Sequence, residues 1–171
     1  IINFKHRLMR HHKKIYLLKK NQDKVFIKDD FISFKYCAEW VDRAPKLGPG
    51  EFSWKERTMD VTNFRVTDRA KKFVTEELNL RVRCSQAQLQ VWPEGSKSEL
   101  HIHDDKGRDG IIFNSMLYLN DNFLGGEFYT KEGIIIKPRP GLFTTFNGQK
   151  LWHGVQPVTK NTRYTIIFWW Q

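Results

Sequence analysis

Hydrophobic and polar positions change their rhythm midway along this chain. Lys24-Val-Phe-Ile-Lys-Asp-Asp-Phe-Ile reads as a short strand entering a helix that runs to about Asp42, because Phe34, Cys37, Ala38 and Val41 recur at helical spacing. A second helix is predicted from about Asp68 to Asn79, capped by Thr67 and burying Ala70, Phe73, Val74 and Leu78. Between them, Leu47-Gly-Pro-Gly-Glu-Phe-Ser-Trp-Lys sets Phe52 and Trp54 among turn formers, as a lid or as rings pinning the loop to the core. From Ser85 the texture becomes short apolar or alternating runs separated by turn residues. Strands are expected at 89–92, 99–105, 111–119, 126–130, 133–137, 142–146, 151–155 and 163–170. The class this predicts is mainly β, with N-terminal helices packed on one sheet face of a jelly roll, whose interior can host a ligand.

Composition narrows this picture. With 171 residues, 40% of them hydrophobic and 14% aromatic, disorder and low-complexity classes are excluded and one domain is expected. No apolar run approaches the ~20 residues of a membrane span. Two cysteines, Cys37 and Cys84, argue against a disulfide framework and fit a reducing compartment such as the cytoplasm. The net charge of +10 is concentrated: residues 1–24 hold eight basic side chains against Asp23, leaving +3 on the rest. Residues 1–24 are therefore read as a basic arm and 25–171 as the domain, with helical support to about 84 and the jelly roll from about 85. The arm could contact nucleic acid or acidic substrate tracts, although a solvated tail is the favoured reading. The chain opens on Ile1, which reads as a fragment or trimmed product, and no signal-peptide core is visible.

Candidate chemistry lies in His101-Ile-His103-Asp104-Asp105. On a strand, alternation sends His101, His103 and Asp105 to one face. With His153 in Leu-Trp-His-Gly-Val, a His-x-Asp pair and a distant His have the composition of a facial triad, which leaves coordination positions open on non-haem Fe(II). Ten residues on, Arg163 opens the last strand with Thr165 on its face, offering a guanidinium and a hydroxyl to a carboxylate. Tyr118 shares a face with Asn114 and Met116 and could add a phenolic donor.

These residues sit within an ordered series: Leu89-Gln-Val, His103-Asp-Asp105, Met116-Leu-Tyr-Leu-Asn-Asp, Gly125-Gly-Glu-Phe, Pro138-Arg-Pro-Gly-Leu-Phe, His153-Gly-Val-Gln-Pro-Val and Arg163-Tyr. The series resembles the Fe(II)- and 2-oxoglutarate-dependent dioxygenases, particularly their prolyl 4-hydroxylase-like branch. The resemblance implies a cupin-like double-stranded β-helix, with His103, Asp105 and His153 as iron ligands. Arg163 would grip the distal carboxylate of 2-oxoglutarate, assisted by Tyr118 and Thr165. Fe(II), 2-oxoglutarate and O2 would be the cofactor and co-substrates, with ascorbate a further candidate. The implied reaction releases carbon dioxide and succinate and hydroxylates a peptide or protein residue, most naturally proline. Lysyl and free amino-acid hydroxylation would use the same machinery.

Two departures from that family's pattern stand out. Tyrosines common before the metal motif are replaced here by Trp92-Pro-Glu-Gly-Ser-Lys-Ser-Glu-Leu, where Trp92 could shape the pocket. The second arginine of the nucleic-acid dealkylases, six residues after the first, is Trp169. His101 is surplus to the triad and is expected beside the site or facing solvent. The readings from other classes are a non-catalytic barrel holding zinc through His101 and His103, and a basic nucleic-acid-binding module.

Overall fold

The computed structural model describes residues 25–47, 51–103 and 113–171. The basic arm, Asp105 and the first two residues of the strand expected at 111–119 lie outside the described residues. The core is two facing antiparallel sheets. The larger is built from β1 (Val25–Lys28), β2 (Thr58–Asp60), β3 (Cys84–Trp92), β5 (Phe113–Tyr118), β9 (Phe143–Phe146) and β12 (Arg163–Trp170), in the order β1-β9-β5-β12-β3-β2. The smaller runs β4 (Ser98–His101), β10 (His153–Val155), β7 (Phe128–Thr130), β8 (Ile135–Ile136). A two-stranded ribbon pairs β6 (Leu124–Gly125) with β11 (Val158–Lys160). This is the double-stranded β-helix, or jelly roll, that the sequence pattern predicts.

The period of two decides what faces what. Along β12, Ile166, Phe168 and Trp170 point into an apolar layer beneath the helices, whereas Arg163, Ile167 and Trp169 line the space between the sheets. β5 alternates likewise: Leu117 joins the helical layer, while Met116 and Tyr118 pack between the sheets. The helical layer holds α1 (Phe34–Arg43) and α2 (Arg65–Glu76) against the larger sheet. Its centre is aromatic: Phe31 stacks on Phe143 at 4.4 Å, and Phe73 meets both rings edge-on.

Both helices depart from the expected phase or start. In α1 the buried positions are Cys37 and Trp40, with Ala44 just beyond the end, whereas Phe34 is 73% exposed and Ala38 faces water. The larger indole takes the inward position and rotates the helix away from the expected stripe. Ser33 caps it, accepting from the Tyr36 N–H at 3.2 Å. α2 begins before Thr67, which is buried in its first turn. The Thr67 hydroxyl donates to the Val61 carbonyl at 2.8 Å and is thereby withdrawn from capping. Ala70 and Val74 are buried as expected, with Phe73 packed against them, but α2 ends at Glu76 rather than Asn79, so the buried Leu78 lies just beyond it.

Among the strands, 163–170 matches its expected limits. The one expected at 99–105 ends at His101, because the His103 N–H turns away to donate to the Gly148 carbonyl at 2.8 Å. Strands β2, β6 and β11, of two or three residues, carry no run long enough to be predicted. Among the described residues no helix is long and apolar enough to cross a membrane, and both cysteines are free thiols.

Candidate active site

A cavity of about 270 Å³ opens between the sheets. The smaller sheet and the turn after β4 contribute His101, His103 and His153 to it, and the larger sheet contributes Met116 and Arg163. His101 and His153 are direct cross-strand partners in β4 and β10, which places their rings 4.5 Å apart. One ring nitrogen from each of the three histidines lies within 4.8 Å of the others.

Hydrogen bonding fixes which nitrogens are available. His153 Nδ1 sits 2.7 Å from the Leu151 carbonyl, and His103 Nδ1 sits 2.8 Å from Asn114 Oδ1. A carbonyl oxygen can only accept, so both Nδ1 atoms carry the proton and both Nε2 atoms carry a lone pair. Those Nε2 atoms lie 3.2 Å apart. Two lone pairs at that distance repel, and a shared cation relieves the repulsion. Anchoring the far nitrogen to a carbonyl is also how metal-binding imidazoles are held. Burial, reinforced by the neighbouring His103 and His101, pushes the His153 pKa down to about 3, so its ring is neutral and ready to ligate at ordinary pH. The donor set therefore fits a divalent metal.

The opposite wall fits an anion. Arg163 is fully buried, with Nη2 donating weakly to Met116 Sδ at 3.2 Å. Its Nε and Nη1, the Tyr118 hydroxyl and the Thr165 hydroxyl are buried without hydrogen-bond partners among the described residues. Each such group costs about 1–3 kcal/mol if nothing fills the gap. Burial pulls the Arg163 pKa downward, yet guanidinium stays charged. Trp92 and Tyr118 each hold a ring centroid 5.3 Å from its Cζ. The Tyr118 phenol is pushed up to about 12 by burial, against the pull of Arg163, and so remains a donor. A carboxylate is the ligand that meets one buried cation and adjoining hydroxyls at once.

Of the residues singled out from sequence, the structure brings His103, His153 and Arg163 onto one cavity. Tyr118 and Thr165, cross-strand partners on β5 and β12, lie beside Arg163 but off the cavity lining. Asp105 lies outside the described residues. His101 faces the cavity rather than solvent alone. Trp92 lines it too, and Trp54 packs edge-on against Trp92 at 6.3 Å, so this loop ring forms part of the wall.

Two contributors escaped the sequence reading. Arg57, beside β2, lies 5.5 Å from both the Trp54 and Trp92 rings and donates to Ser96 Oγ. No motif marks it. Gly148 is the other: a Cβ there would fall 2.5 Å from His103 Nδ1 and closer still to Asn114 Oδ1. Gly148→Ala is therefore expected to displace the His103–Asn114 hydrogen bond and weaken metal affinity about 10–100-fold, measured by metal titration of the apoprotein.

Residues 87–171 match the sequence profile of the 2OG-Fe(II) oxygenase superfamily. The chain belongs to this superfamily. Its cofactor and co-substrates are thus Fe(II), 2-oxoglutarate and O2. Human prolyl 3-hydroxylase 2 is 38% identical over 64 residues, a stretch covering 33% of this chain but only 9% of that protein. Two solved structures share the oxygenase fold. A Trichoplax adhaerens prolyl hydroxylase, in complex with a peptide fragment of the hypoxia inducible factor oxygen degradation domain, has a TM-score of 0.69 at 16% identity, covering 99% of this chain and 94% of its own. A viral collagen prolyl hydroxylase from Paramecium Bursaria Chlorella virus-1 has a TM-score of 0.67 at 17% identity, covering 85% and 94%.

Proposed function

We propose that this oxygenase hydroxylates a prolyl residue of a peptide or protein, with His103, Asp105 and His153 holding Fe(II) and Arg163 holding 2-oxoglutarate. The observation that carries the reading is the pairing of an imidazole wall with a buried guanidinium that has no salt bridge among the described residues, across one cavity. Arg163 binds the distal carboxylate of 2-oxoglutarate, and the protonated Tyr118 and Thr165 hydroxyls donate to the same anion. Iron and 2-oxoglutarate, when bound, would reduce O2 to an oxidant able to hydroxylate an unactivated C–H bond, with release of carbon dioxide and succinate. The chain itself orients the co-substrate and excludes water: Phe128 and Phe146 pack on His153, and Trp92 covers Arg163.

The relatives favour proline over lysine or a free amino acid, since the human relative and both solved structures are named as prolyl hydroxylases. The peptide complex of the Trichoplax enzyme supports a peptidyl target. Trp54, Arg57 and Trp92 supply the part of the cavity lining best suited to a prolyl ring, which packs on indole faces. With Fe(II), O2 and 2-oxoglutarate, succinate release is expected to rise when proline-containing peptides are added, with one oxygen atom gained on proline by mass spectrometry. The gain appearing on lysine instead, or no stimulation by any peptide, would overturn the prolyl assignment.

A further inference from the structure

His101 is not required by a two-histidine, one-carboxylate triad, yet it is built like its neighbours. Its Nδ1 lies 2.9 Å from the Glu99 carbonyl, which places the proton on Nδ1 and the lone pair on Nε2. Its ring centroid lies 4.5 Å from that of His153 and 5.3 Å from that of His103. It is half-buried and lines the same cavity. All three imidazoles thus have Nδ1 tied to a carbonyl oxygen, and one ring nitrogen from each lies within 4.8 Å of the others.

We propose that His101 completes a three-imidazole site with His103 and His153 that takes zinc(II) without Asp105. A four-coordinate zinc with Zn–N of about 2.1 Å separates its nitrogens by about 3.4 Å. The 3.2 Å between His103 and His153 already meets that spacing, and His101 brings a third ring nitrogen within 4.8 Å of theirs. Water takes the fourth position. Imidazole nitrogen suits zinc, and zinc outranks Fe(II) for a given set of nitrogen donors.

This inference rests on His103 and His153 being metal ligands, but not on the co-substrate or on proline. Apoprotein of the full chain is titrated with zinc(II) by calorimetry, and with cobalt(II) by visible absorption, where four-coordinate cobalt absorbs far more strongly than six-coordinate. Wild type and Asp105→Ala are expected to bind zinc comparably and to give the intense cobalt bands. His101→Ala and His101→Asn, with unchanged melting temperatures, are expected to lose zinc affinity at least tenfold, together with those bands. Zinc binding by both His101 variants as tight as wild type overturns the proposal, as does an Asp105→Ala loss equal to theirs. Wild-type zinc affinity in His153→Ala would overturn the underlying metal assignment as well.

Discussion

His153→Ala is expected to lower 2-oxoglutarate decarboxylation at least about a thousandfold, equivalent to roughly 4 kcal/mol of barrier. The imidazole is one of two nitrogens 3.2 Å apart, and nothing else on β10 can replace it: Gly154 has no side chain and Val155 no donor. The loss should be catalytic rather than structural. The ring contacts Phe128 and Phe146, so its removal is expected to cost about 1–3 kcal/mol of stability, within what a domain of this size tolerates. Succinate formation, read with far-UV circular dichroism and iron titration, checks this. Turnover near wild type with the fold intact would remove His153 from the ligand set.

The two walls of the site differ in how readily a sequence discloses them. The Arg163–Thr165–Trp169 alternation is legible because β12 is eight residues long and regular, so period two alone fixes its faces. The same holds for Asn114, Met116 and Tyr118 on β5. The histidine wall is less legible. His101 and His103 were expected to share a strand face, but β4 stops at His101, and His103 reaches the cavity by a turn pinned to Gly148. Gly148 and Arg57 act through contacts between segments distant in sequence, which leave no local pattern. The phase of α1 was misread for a related reason. Helical spacing admits two neighbouring stripes there, and only packing on the sheet selects the one carrying Trp40.

Arg163 supports the sharpest prediction, because its roles in stability and in binding carry opposite signs. Arg163→Met keeps an unbranched side chain of similar length while removing a fully buried charge. That charge has two unpartnered donor atoms and no ion pair: the salt bridges among the described residues are Lys97–Glu99 and Arg139–Asp29. Replacing an unpaired buried cation by a packed apolar side chain is expected to leave the apoprotein as stable as wild type, or more stable by about 1–4 kcal/mol. Affinity for 2-oxoglutarate should fall at the same time. Losing a desolvated charge pair costs about 2–5 kcal/mol, so the 2-oxoglutarate KM is expected to rise at least thirtyfold, with a smaller change in kcat. Melting curves separate the two effects: 2-oxoglutarate with an inert divalent metal should raise the wild-type Tm by mass action and leave that of Arg163→Met in place. A variant that is less stable yet still protected by 2-oxoglutarate would make Arg163 a structural cation and move the anion site elsewhere in the cavity.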